Sequence, residues 1–99
     1  MTELLSDSDL HAAMAERPHW EVRGAALLRA VQAPTYVDGI RLVDAVAEVA
    51  ERSNHHPDID IRWTTVTFML STHSEGGITA KDVDLAGRID QIVDNLLLI

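Results

Sequence analysis

Five histidines stand in a chain of 99 residues, and two of them are adjacent in the stretch Glu51-Arg52-Ser53-Asn54-His55-His56-Pro57. Free imidazole has a pKa of about 6.5 and gives or takes a proton near neutrality, so a histidine pair beside a carboxylate suits general acid–base chemistry. Glu51, one helical turn before His55, supplies that carboxylate. A third histidine, His73, follows an alternating apolar run and precedes Gly76-Gly77, the end of a strand before a glycine-rich loop, where functional side chains concentrate. A plainer origin for the pair is a helix terminus. Asn54 tolerates the left-handed conformation that closes a helix, histidine there complements the macrodipole, and Pro57 cannot continue the helix. Glu51 resists that account, because a carboxylate in the last turn is disfavoured by roughly a few tenths of a kcal/mol, whereas a nearby imidazole could use it.

Other chemistries find less support. Glu51, His55, His56 and His73 could ligate zinc on paper, but neighbours in an extended segment point to opposite sides, so no metal site is expected. The chain has no cysteine, hence no thiolate nucleophile or disulfide, and no serine sits in a nucleophile-elbow pattern. Eight basic residues against sixteen acidic ones give a formal charge of -8, and the cations are scattered, which argues against nucleic-acid or anionic-membrane partners. An aromatic fraction of 4% offers no platform for stacking bases. The acidic start MTELLSDSDL lacks the charge and apolar regions of a secretion signal, and the terminal LLLI is too short to span a bilayer. The expectation is a cytoplasmic chain forming one domain over residues 1–99, with small neutral ligands or proteins as its company.

The elements that must position the histidines follow from periodicity. Ser6 to Arg17 carries Leu10, Ala13 and Met14 at helical spacing after polar capping residues and stops before Pro18. Trp20 to Val31 switches period and breaks at Gly24, which predicts a hairpin. Tyr36 to Arg52 is a helix with Ile40, Val43, Ala47 and Ala50 on one face, entered through the capping pair Thr35 and Asp38. Ile59, Ile61 and Trp63, then Val66, Phe68 and Leu70, alternate with polar residues and predict a second hairpin. Thr79 and Asp82 repeat the capping pattern ahead of a closing helix bearing Val83, Ala86, Ile89, Val93 and Leu96, with Asp84 and Arg88 paired four apart. The order helix, two strands, helix, two strands, helix predicts an α+β fold, one four-stranded antiparallel sheet with helices packed on one face. Open sheet edges, and a last helix ending in the apolar LLLI, predict a homo-oligomer.

Glu51, three residues, His55-His56-Pro57, five residues, Trp63, nine residues, His73, eight residues and Asp82: this spacing resembles the signature of the pterin-4a-carbinolamine dehydratases. Trp20, the LSTH stretch from Leu70 to His73, and the approach Gly76-Gly77-Ile78-Thr79 to Lys81-Asp82 are similar to the family as well. The resemblance implies a four-stranded antiparallel sheet backed by helices and paired across dimers, and a hydro-lyase that dehydrates 4a-hydroxytetrahydropterin to quinonoid dihydropterin after an aromatic amino acid hydroxylase has used its pterin. The pterin is then the substrate, and no cofactor is implied. By the same resemblance His55 and His73 are the acids and His56 holds the substrate, all three counting as catalytic. Glu51, Asn54, Trp63, Ser71, Thr72, Ser74 and Asp82 form the surrounding pocket. Taken alone, several of these have plain readings: Ser71 and Thr72 as strand-end residues, Asp82 as a capping residue, Trp63 as core. His11 and His19 belong to no pattern and are expected on the surface. Asn54, Trp63 and Lys81 stand where aspartate, tyrosine and arginine are common in the family, departures that bear on the rate more than on the reaction. The family fold also serves as a non-catalytic protein-binding module, for dimerisation or enzyme assembly, and an intact histidine set is what separates the two roles.

Overall fold

Val66, Phe68 and Leu70 alternate with threonine and methionine, so the strand they form buries one face completely and leaves the other half-covered. In the computed structural model, which describes residues 3–97, that strand is β4 (Thr65–Leu70). It lies in a chain running α1 (Asp7–Ala15), β1 (Glu21–Arg23), β2 (Ala26–Gln32), α2 (Tyr36–Ser53), β3 (Asp58–Arg62), β4, a short 3-10 turn (His73–Glu75) and α3 (Ala80–Leu97). The sheet is antiparallel throughout, in the order β1-β2-β4-β3, so β4 is flanked on both sides and β1 and β3 are edges. The α+β fold expected from the periodicities is the one observed.

α2 and α3 cover one face of this sheet. Leu42, Val46 and Ala50 recur at helical spacing along α2 and meet Leu27, Val31, Val66, Phe68 and Leu70, while Leu85, Ala86, Ile89 and Val93 do the same from α3. Gly39 lets α2 approach closely, since a Cβ there would stand 3.3 Å from Val66 Cγ2. One polar cluster crosses this layer: Arg29 on β2 pairs with Asp90 on α3, and Trp20 Nε1 donates to the same carboxylate at 2.8 Å. A guanidinium buried to this degree is tolerable only with such a counter-charge, so the cluster fixes where α3 sits on the sheet.

α1 is peripheral. Ser6 caps it by accepting from the Asp9 N–H, and none of its residues is fully buried, although Leu10 and Met14 pack against the core edge. His11 and His19 are exposed. Two expectations need correction. Trp63 does not continue the alternation of β3 into the core; Arg62 pairs with Thr65, so Trp63 and Thr64 form the hairpin turn and the indole is 80% exposed. Asp84 and Arg88 line a cavity rather than forming an ion pair among the described residues. Leu97 is buried and Leu96 half out, but the last two residues of the LLLI terminus lie outside the described residues.

Candidate active site

The segment joining α2 to β3 carries both adjacent histidines, and a backbone reversal sends them apart. Asn54 closes α2 in the left-handed region, φ 50° and ψ 42°, and its N–H and that of His55 return to carbonyls of the last turn. His55 then turns towards the start of α3, where its Nε2 donates to Asp82 Oδ1 at 2.6 Å. A carboxylate only accepts, so Nε2 carries the proton and Nδ1 is left as the nitrogen able to exchange one. His56 turns back to α2, and its Nε2 donates to Glu51 Oε2. Both members of this second pair are largely exposed, so the contact orients the ring more than it stabilises the fold.

Asp82 is fully enclosed, and its two oxygens serve different elements. Oδ2 accepts from the Thr79 N–H and from Thr72 Oγ1, each at 2.8 Å, while Oδ1 is left to His55. The first of these bonds is the capping box anticipated at the start of α3. Each hydroxyl has one proton, which sets the direction of the remaining links: Thr79 Oγ1 accepts from the Lys81 N–H at 3.2 Å and donates to Thr72 Oγ1 at 2.7 Å, which in turn donates to Asp82. The buried chain from Lys81 to His55 is therefore satisfied at every step, and such a network holds its members rigidly.

Thr72 is the residue before His73, so Asp82 also ties His55 to the end of β4. Beyond Thr72 the chain closes on itself: the Thr72 N–H donates to the Gly77 carbonyl at 2.8 Å, and the Gly76 N–H to the His73 carbonyl at 3.1 Å. Gly76 takes φ 74°, a conformation that glycine adopts without strain. This closed loop presents His73 and Ser74 to solvent. His73 lines a cavity of about 350 Å³ with Ala25, Ala26, Asp58, Met69, Ser71 and Gly76, on the sheet face away from the helices. Ser71 is fixed there by donating to the Ala25 carbonyl at 2.8 Å.

His55 lines a separate cavity of about 210 Å³, with Ser53, Lys81, Asp84, Leu85 and Arg88. The structure thus gathers His55, Thr72 and Asp82 into one bonded group, sets Ser71 and His73 beside it on another hollow, and pairs His56 with Glu51. Trp63 stands apart, since it lies six positions along an extended chain from Pro57, roughly 20 Å at the rise of a strand. Among the described residues the Ser74 side chain reaches only Glu75, at 3.4 Å. Two residues at the site went unread in the sequence. Asp58 enters the His73 cavity because it pairs with Met69 across the sheet, and Thr79 serves the hydroxyl chain as well as its cap. Among the described residues no three side chains of His, Cys, Asp or Glu converge as a metal site would require.

The comparisons with known proteins place the chain in a family. Residues 3–92 match the family model described as pterin 4 alpha carbinolamine dehydratase. A chain from Nocardia farcinica (strain IFM 10152) is 56% identical over 91 residues, 92% of this chain and 96% of the relative, and one from Mycobacterium sp. (strain KMS) is 55% identical over 91 residues, 92% and 97%. Both carry the provisional name pterin-4-alpha-carbinolamine dehydratase. Among solved structures, a transcriptional coactivator/pterin dehydratase from Brucella melitensis superposes with a TM-score of 0.85 at 28% identity, over 89% of this chain and 96% of that one. A pterin dehydratase-like protein identified as a RuBisCO assembly factor in the alpha-carboxysome shares the fold, with a TM-score of 0.60 at 22% identity over 74% of this chain and 84% of that one. With nine-tenths of its length inside the family model and relatives above half identity, the chain belongs to the pterin 4 alpha carbinolamine dehydratase family.

Proposed function

We propose that the protein dehydrates 4a-hydroxytetrahydropterin to quinonoid dihydropterin, with the pterin as substrate and histidine as acid and base. In this reaction the C4a–O bond breaks as the hydroxyl takes a proton and leaves as water. A ring-nitrogen lone pair forms the new double bond, and a proton departs from ring nitrogen to a base. Imidazole performs both transfers at neutral pH. What supports this reading most is Asp82, an enclosed carboxylate that grips His55 on one oxygen and Thr72, next to His73, on the other. A fold that needed only to cap α3 would not need the second oxygen. In the proposed roles His55 and His73, which line neighbouring separate cavities, exchange protons and His56 holds the substrate, with Glu51 orienting its ring. Asn54, Ser71, Thr72 and Ser74 shape the surroundings; Asp82 acts through His55, and Trp63 contributes away from the ring. The reading includes a homo-oligomer, a cytoplasmic setting suited to a chain without cysteine, and a pterin supplied by an aromatic amino acid hydroxylase. No helix among the described residues is long and apolar enough to cross a membrane.

The second reading is a non-catalytic binding module. Exposed Trp63, Ile61, Tyr36 and Val37 favour it, since large apolar side chains left in water are the usual material of protein contacts. The test is the decay of freshly generated 4a-hydroxytetrahydropterin. Catalysis is expected from the purified protein, and His73→Ala should slow it by about 10²–10⁴-fold, the usual worth of a positioned proton donor. No acceleration over buffer would hand the case to the binding module, and a catalytic variant equal to wild type would remove His73 from the proposed roles.

A further inference from the structure

The cavity beside His73 contains one carboxylate, Asp58, which lies among small and apolar neighbours: Ala25, Ala26, Met69 and Gly76. Asp58 pairs in register with Met69, and both side chains leave the sheet on the face away from α2 and α3. Nothing in the fold employs it. Among the described residues its carboxylate has neither an ion-pair nor a hydrogen-bond partner, whereas Asp60, next on the same face of β3, is paired with Arg62 at 3.2 Å. A lining of alanine and methionine that also holds an unpaired acceptor and an imidazole suits a flat heterocycle that has donors along one edge.

We propose that Asp58 is the specificity residue of this cavity, recognising a 2-amino-4-oxo pteridine through its N3–H and 2-amino groups. The inference rests on the dehydratase reading and adds to it a residue and a chemical criterion. The two donors of that edge lie side by side at the spacing of the two oxygens of a carboxylate, the fork geometry in which charge-assisted hydrogen bonds are strongest. A 2,4-dioxo pteridine of the same shape replaces the amino group with oxygen, which turns one attractive contact into an acceptor facing an acceptor. A site that hydrogen-bonds a substrate group rejects an isostere that leaves its own polar atom unpaired far more strongly than an apolar slot does.

The experiment is a calorimetric titration of the wild-type protein and of Asp58→Asn with pterin and with lumazine, its 2-oxo counterpart, near neutral pH. Wild type should prefer pterin by about 10–100-fold, and Asp58→Asn should bring the two ligands within about threefold of each other, mainly by weakening pterin. Asp58 is exposed at the start of an edge strand and Asn preserves its shape, so unchanged thermal unfolding of the variant is the control. If the wild type favours pterin and the variant keeps the same preference, Asp58 does not read the edge and the inference is wrong while the dehydratase reading stands. Equal binding of both ligands by the wild type overturns it too. Failure of the wild type to bind either ligand, together with no dehydration, removes the dehydratase reading and this inference with it.

Discussion

At the scale of single residues, Asp82 does two jobs with two atoms, and they can be separated. Asp82→Asn keeps one carbonyl oxygen but presents an NH₂ where an acceptor is needed, so either the helix cap or the imidazole loses its partner. We expect kcat to fall by about 100-fold with KM little changed, because His55 would lose the bond that sets its tautomer and ring angle. Stability should fall by about 1–3 kcal/mol, the cost of leaving an enclosed polar group unmatched. Nitrogen NMR of the imidazoles distinguishes the two effects: His55 should be an Nε2–H tautomer in wild type and a mixture in the variant. A single tautomer in both would mean that Asp82 is only a cap. The capping half of this role was legible in the sequence, since Thr79 and Asp82 are three apart. The bond to His55 spans 27 positions and involves no local pattern, so only the family resemblance put the two residues in one site. The same limit applies to Asp58, which enters its cavity by cross-strand register alone.

At the scale of elements, the two hairpins solve one turn with different residues. Gly24 opens the β1–β2 turn at φ 59° and Trp63 opens the β3–β4 turn at φ 54°. Glycine takes that region freely, while an ordinary L-residue is strained there by about 1–2 kcal/mol. Alternation alone extended β3 through Trp63, because apolar spacing says nothing about where two residues must reverse the chain; Arg62 opposite Thr65 decides it. Gly24 announced its own turn. The strain is open to measurement. Trp63→Gly removes it and deletes an indole that is already 80% exposed, so no core contact is lost. Even after the entropy glycine adds to the unfolded chain, urea unfolding at low protein concentration should show a gain of about 0.5–1 kcal/mol. Loss of stability there would mean that Trp63 makes intrachain contacts worth more than its strain. α1 shows a different boundary of sequence reading: its cap at Ser6 was plain, but its peripheral seat, with no residue fully buried, follows from the other two helices having filled the sheet face.

At the scale of the whole molecule, the unanswered features converge on one edge. β3 is an edge strand five residues long, its outer backbone groups have no partner strand among the described residues, and Ile61 and Trp63 remain exposed at its end. β1, the other edge, is three residues long and begins and ends with the ion-paired Glu21 and Arg23, a poorer template for pairing. A strained tryptophan kept in water on an unpaired edge makes sense if a second copy covers it. We therefore expect light scattering at micromolar concentration to report at least two chains per particle. A net charge of -8 per chain opposes association, so added salt should strengthen it through screening. Under that arrangement the gain from Trp63→Gly should shrink as protein concentration rises, since association stabilises the folded state by mass action and the variant lacks part of the contact. Ile61→Lys is the direct test. Ile61 is 38% exposed, so a lysine there can place its ammonium in water in the isolated chain but not in a covered edge. A monomer with the circular dichroism of wild type would locate the interface on β3, whereas an undiminished oligomer would move it to the helices or to β1.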